Sequence, residues 1–96
     1  MTELLWDDHN QAHIARHDVS AAEVAEVVLG AAPLVVIESN RHRAGRLELF
    51  GRTEAGRYLM VVTERPTSLG FAYVVTARPM SDAERRAFDR RVADDA

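Results

Sequence analysis

A chain of 96 residues is long enough for one domain with a real core and too short for two. Hydrophobic residues make up 47% and charged residues 28%, which excludes a disordered polymer, and the longest apolar runs (34–37 and 58–62) are far too short for a transmembrane helix. The net charge of −3 argues against a nucleic-acid partner only until its distribution is read: residues 40–91 hold eleven arginines against six acids, the remainder one arginine against nine.

Residues 3–6 read as a short edge strand leading into a helix over residues 7–17. Asp7 or Asp8 caps that helix, and Asp18 stands at its stop, where aspartate tolerates a left-handed conformation. Ser20-Ala21-Ala22-Glu23 is a capping box for a second helix with Val24, Val27 and Val28 as its apolar stripe, ended by Gly30 and Pro33. Four strands follow at 34–38, 46–51, 57–63 and 71–77, separated by turn-forming residues at 40–45, 54–56 and 66–70. Ser81-Asp82-Ala83-Glu84 opens a last helix with Ala87, Phe88 and Val92 inward and Arg85, Arg86, Arg90 and Arg91 turned elsewhere; residues 93–96 should fray. Two N-terminal helices, a four-stranded antiparallel meander and a C-terminal helix predict an α+β fold, residues 1–96 forming one domain with the helices on one sheet face. The strand at 58–62 is apolar on both sides, so it belongs in the centre, its second face covered by a helix or by a partner.

Three regions compete to carry chemistry. His9, His13 and His17 recur every four residues and share one stripe of the first helix. Adjacent members rise about 6 Å and could chelate a metal as a pair, but the outer two lie about 12 Å apart, so the three cannot bind one ion. Catalysis, RNA contact and structural hydrogen bonding all remain open for them. The second region is the hairpin 40–46, where Arg41, His42, Arg43 and Arg46 suit phosphate contact. The third is Arg52 and Arg78, one at each of two strand ends, which could converge on one anionic group. All twelve basic residues are arginine, so every fixed cation is a planar fork suited to phosphate. The absence of cysteine and of a basic, apolar leader at the N-terminus leads us to expect a cytoplasmic protein.

Leu5-Trp6-Asp7, Arg16-His17-Asp18-Val19-Ser20, Phe50-Gly51-Arg52-Thr53, Tyr58 to Thr63, Thr76-Ala77-Arg78-Pro79-Met80-Ser81 and Glu84-Arg85-Arg86-Ala87-Phe88 stand in the order seen in BrnT-type toxins. Over roughly residues 4–90 the chain resembles that family, as a divergent member. The resemblance implies a fold like that of the RelE-type ribonuclease toxins. It also implies RNA cleavage without a metal or other cofactor, and an antitoxin as protein partner; homo-oligomerisation is left open. Where the family carries lysines, this chain has Asn10 and Arg16, and arginine cannot act as a base at neutral pH.

As a ribonuclease, the chain would use one group to take the 2′-hydroxyl proton and another to protonate the leaving 5′-oxygen. His17 and His13 are the expected acid and base, Arg52 and Arg78 the cations facing the charged phosphorane. Arg16, Arg41, Arg43 and His9 would contact RNA, and Trp6 would either stack a base or pack in the core. The alternatives are a binding module of the same fold without turnover, and a metal-dependent enzyme using the histidines.

Overall fold

The computed structural model describes residues 1–39 and 45–95. Arg41, His42 and Arg43, expected to contact RNA from a loop, lie outside the described residues. The elements are β1 (Glu3–Leu5), α1 (Asp8–Ala15), α2 (Ala21–Leu29), β2 (Leu34–Glu38), β3 (Leu47–Arg52), β4 (Tyr58–Thr63), β5 (Phe71–Pro79) and α3 (Asp82–Asp95). All five strands form one sheet in the order β1-β5-β4-β3-β2. The last four are antiparallel neighbours, whereas β1 runs parallel to β5, with Glu3 opposite Phe71 and Leu5 opposite Tyr73. The sheet is therefore five-stranded and mixed, not a four-stranded antiparallel meander. β1 is the short edge strand expected at 3–6, but nothing local shows that it joins this sheet, because its partner β5 lies near the other end of the chain.

β4 lies in the middle and is apolar on both sides for that reason. Leu59 and Val61 pack with Ile14, Val19, Val24, Val27 and Val28, under α1 and α2. Met60 and Val62 face the other way and pack with Phe88 and Met80, under α3. Helices thus cover both faces of the sheet rather than one. The cause is local: only Met80 and Ser81 join β5 to α3. Met80 is buried in the second cluster and its N–H donates to the Tyr58 carbonyl (3.1 Å), so the chain turns onto that face. α3 also continues to Asp95, with an Arg91–Asp95 ion pair one turn apart, where fraying was expected from 93 onward.

Each helix starts on a reciprocal cap. At α1, Asp7 accepts from the Asn10 N–H (2.8 Å) and Asn10 Oδ1 accepts from the Asp7 N–H (2.9 Å). Ser20 with Glu23 and Ser81 with Glu84 do the same for α2 and α3. Asn10 is fully buried, and its Nδ2 donates to the Leu5 and Val74 carbonyls, both at 3.0 Å, so one side chain ties α1 to β1 and β5. α1 ends at Ala15, two residues before the expected His17, and the following turn closes with Asp18 at φ 59°.

Candidate functional site

One end of the sheet gathers most of the chemistry. β3 ends there at Arg52, β4 begins at its register partner Tyr58, and β5 ends just past Arg78, which pairs with Met60. On the face covered by α3, the guanidiniums of Arg52 and of Arg85 stack on the Tyr58 ring, 4.5 and 4.4 Å from its centroid. The Tyr58 hydroxyl donates to the Asp89 carboxylate (2.9 Å), and Phe88 meets the same ring edge-on at 6.0 Å. Arg52 is steadied by its Nε, which donates to the Gly56 carbonyl (3.2 Å). Gly56 has φ +91°, and a Cβ there would lie 2.9 Å from the Arg52 guanidinium, so the turn both needs glycine and lets the arginine lie flat across it. Beside the stack opens a cavity of about 360 Å³ lined by Pro33, Arg52, Glu54, Phe88, Asp89 and Val92, among others.

Arg78 is on the same face and at the same end, but it does not meet Arg52. Its guanidinium is held in a two-pronged pair by Glu84, at 2.7 and 2.9 Å. The Arg78 fork, with the Ser81 N–H, holds the Glu84 carboxyl down to about 2 against the desolvation that would raise it. A carboxyl lowered from its ordinary value of 4.5 stabilises the fold above that pH, and the contribution drains away as pH falls from about 4.5 toward 2. We expect acid titration of unfolding free energy to show this loss, on the order of 2 kcal/mol, and Glu84→Gln to remove most of that pH dependence. An unchanged acid limb in the variant would contradict the pairing.

The histidines lie on the other side of the sheet, because α1 packs there through Ile14. His13 and His17 meet edge to face, ring centroids 5.8 Å apart, while His9 is exposed one turn earlier. Arg57 fixes their position: its guanidinium donates to the Asp18 carbonyl and pairs with Glu23 (3.1 Å). Arg57 immediately precedes Tyr58, the first residue of β4; Arg57 reaches Asp18 and Glu23 beside α1 and α2 while Tyr58 meets Arg85 and Phe88 of α3, so the Arg16–His17 turn and the Arg52–Tyr58–Arg85 stack flank the same end of β4. Among the described residues no hydrogen bond, ion pair or ring contact joins the histidines to Arg52 or Arg78. His17, Arg52 and Arg78 thus do not form the single constellation expected. Trp6 packs against the core cluster of α1 and α2 while half-buried, and Arg16 is exposed at the α1 C-terminus. Among the described residues, no group of three or more His, Cys, Asp or Glu could hold a metal ion.

Tyr58, Arg85, Asp89 and Arg57 are not among the site residues expected from the sequence. Arg52 and Tyr58 flank the turn at 54–56, and strand residues flanking a turn face each other, so that pair had a signal. Nothing local signals that α3 brings Arg85 over the ring.

No family model matches the chain, and no curated protein matches it. Among solved structures, it matches the crystal structure of the Brucella abortus ribonuclease toxin BrnT with a TM-score of 0.59. That alignment covers 85% of this chain and 100% of the other, at 23% identity. The fold is that of BrnT. The match bears out a BrnT-like α+β fold, in a divergent instance whose sheet and helix arrangement differ in detail from the meander expected, and at this identity the likeness is one of fold. Among the described residues, no helix of this BrnT-like chain is long and apolar enough to cross a membrane.

Proposed function

We propose that this protein is the ribonuclease toxin of a toxin–antitoxin pair, and that it cuts RNA laid across the end of the sheet where β4 begins. The observation that carries the reading is the Arg52–Tyr58–Arg85 stack: two cations fixed on a ring at the mouth of a cavity, in a chain with the BrnT fold. A cognate antitoxin as protein partner and a cytoplasmic site of action belong to the same reading.

In this reading the labour is divided between the two faces. Arg52 and Arg85 grip the phosphate backbone on one face, where each guanidinium offers paired donors. Arg78, its charge matched by Glu84, frames that end of the sheet. The reacting phosphate sits across the rim at the His13–His17 pair, with Arg16 beside it. One histidine takes the 2′-hydroxyl proton and the freed oxygen attacks the phosphorus. The other gives a proton to the departing 5′-oxygen, leaving a 2′,3′-cyclic phosphate and a 5′-hydroxyl. Centroids 5.8 Å apart let both rings reach one phosphate, and no metal is needed for either proton transfer. His9, Arg41 and Arg43 extend the RNA contacts, and Trp6 takes the core-packing role.

The separation of the histidines from Arg52 by the sheet favours a second reading, an RNA-binding module without turnover. His17→Ala separates the two. His17 is exposed beyond the end of α1, so the variant folds, and we expect it to lose roughly 100- to 10,000-fold in kcat and to relieve growth arrest on induced expression. Arrest at the wild-type level would remove His17 from the mechanism and leave the binding module.

A further inference from the structure

We propose that the cavity between the β3–β4 turn and α3 is a nucleotide pocket that selects guanine, with Asp89 as the residue that reads the base. The proposal rests on the reading that this face grips RNA and says which nucleotide it grips.

Size comes first. A void of about 360 Å³ accommodates a single nucleotide and not a longer segment. Phe88 and Val92 give it an apolar floor for a base, and Arg52 stands in its wall as a fixed cation for the attached phosphate. The charged groups are placed unevenly. Apart from Arg52, the ionised side chains that line the cavity are the carboxylates of Asp89 and Glu54, which only accept hydrogen bonds. An edge of acceptors asks for a base that presents adjacent donors. Guanine does so through N1–H and the 2-amino group, and one carboxylate can take both. Adenine and cytosine each set a ring acceptor beside their amino donor, which a carboxylate repels, and uracil flanks its single N–H with two carbonyls.

Asp89 is also held for the task. Its two oxygens receive the Tyr58 hydroxyl at 2.9 and 3.1 Å, and Tyr58 is itself fixed by two guanidiniums and by Phe88. The carboxylate keeps further lone pairs and is oriented before the base arrives. Asp89 thus contacts the base, and Tyr58 is a positioning residue acting through it.

The test is titration of the purified full chain with each of the four 5′-mononucleotides, followed by chemical shifts of the aromatic side chains. Guanosine monophosphate should bind saturably and roughly 10- to 100-fold more tightly than the other three, the discrimination of one good bidentate base contact. Asp89→Asn, at an exposed helix position that tolerates the change, should bring guanosine monophosphate down to the level of the others. Tyr58→Phe should weaken it partially with the carboxylate still present, and Arg52→Ala should weaken all four alike. Equal binding of the four, no saturable binding at millimolar concentration, or unaltered selectivity in Asp89→Asn overturns the proposal. Cutting of RNA by the wild type without preference for guanosine overturns it too and leaves the ribonuclease reading standing. Selective binding of guanosine monophosphate in a protein that cuts no RNA removes the ribonuclease reading and keeps the pocket.

Discussion

For the proposed ribonuclease, alanine at both Arg52 and Arg85 is expected to raise the KM for RNA by at least roughly tenfold while kcat stays near wild type, because each charge-assisted contact contributes about 1.5–3 kcal/mol to binding and neither arginine is assigned a proton transfer. The same variant flattens the dependence of RNA affinity on salt. Two lost phosphate contacts on a single strand lower the log–log slope by about 1.4. The double variant is needed because both guanidiniums share the Tyr58 ring, and removing one leaves the other on the same support. The fold should tolerate it: Arg52 and Arg85 are exposed, and each exposed stacking contact contributes only about 0.5–1 kcal/mol. A drop in kcat at unchanged KM would place these arginines at the reacting phosphate and return the chemistry to the α3 face. Filter binding across a salt series, with initial rates on a short RNA, reads both quantities.

Asn10→Ala has the largest expected effect on stability. The side chain is buried and uses its amide in three directions, donating to the carbonyls of Leu5 and Val74 and accepting from the Asp7 N–H. Truncation strands the buried Val74 carbonyl away from water at about 1–3 kcal/mol and removes two part-buried bonds, to the Leu5 carbonyl and the Asp7 N–H, at about 0.5–1.5 kcal/mol each, so a loss of about 3 kcal/mol is expected, read as a melting temperature lower by roughly 15 °C in a domain of this size. Asn10→Asp should be no milder, since a carboxylate cannot donate to either carbonyl. Thermal unfolding by circular dichroism measures both, and a loss under about 0.5 kcal/mol for either variant would contradict the role of Asn10 as a clamp, being the scale of an ordinary surface change.

Much of the fold was legible in local sequence. The capping boxes at Ser20 and Ser81, the left-handed stop at Asp18 and the doubly apolar β4 are all set by neighbours in the chain, and each stands where the residues placed it. What was not legible is long-range. β1 is defined only by its pairing to β5, and the placement of α3 depends on how Met80 turns a two-residue link. The site divides the same way. Arg52 and Arg78 were visible as cations at strand ends, but that Glu84 would take Arg78 and Arg85 would join Arg52 depends on where α3 lies. Asn10 stands where the resembling family carries a lysine, and the comparison says nothing of its burial. It lies one helical step of four from the buried Ile14, so the period alone could have marked it as an inward residue.

In the reaction we propose, this chain cuts RNA by proton transfer at the His13–His17 pair while Arg52 and Arg85 hold the strand. The most direct measurement incubates purified wild type with single-stranded RNA in the presence of a chelator and determines the chemistry of the new ends. Fragments ending in 2′,3′-cyclic phosphate and 5′-hydroxyl are expected. Intact RNA, or cleavage that leaves 3′-hydroxyl ends or stops on chelation, would contradict it.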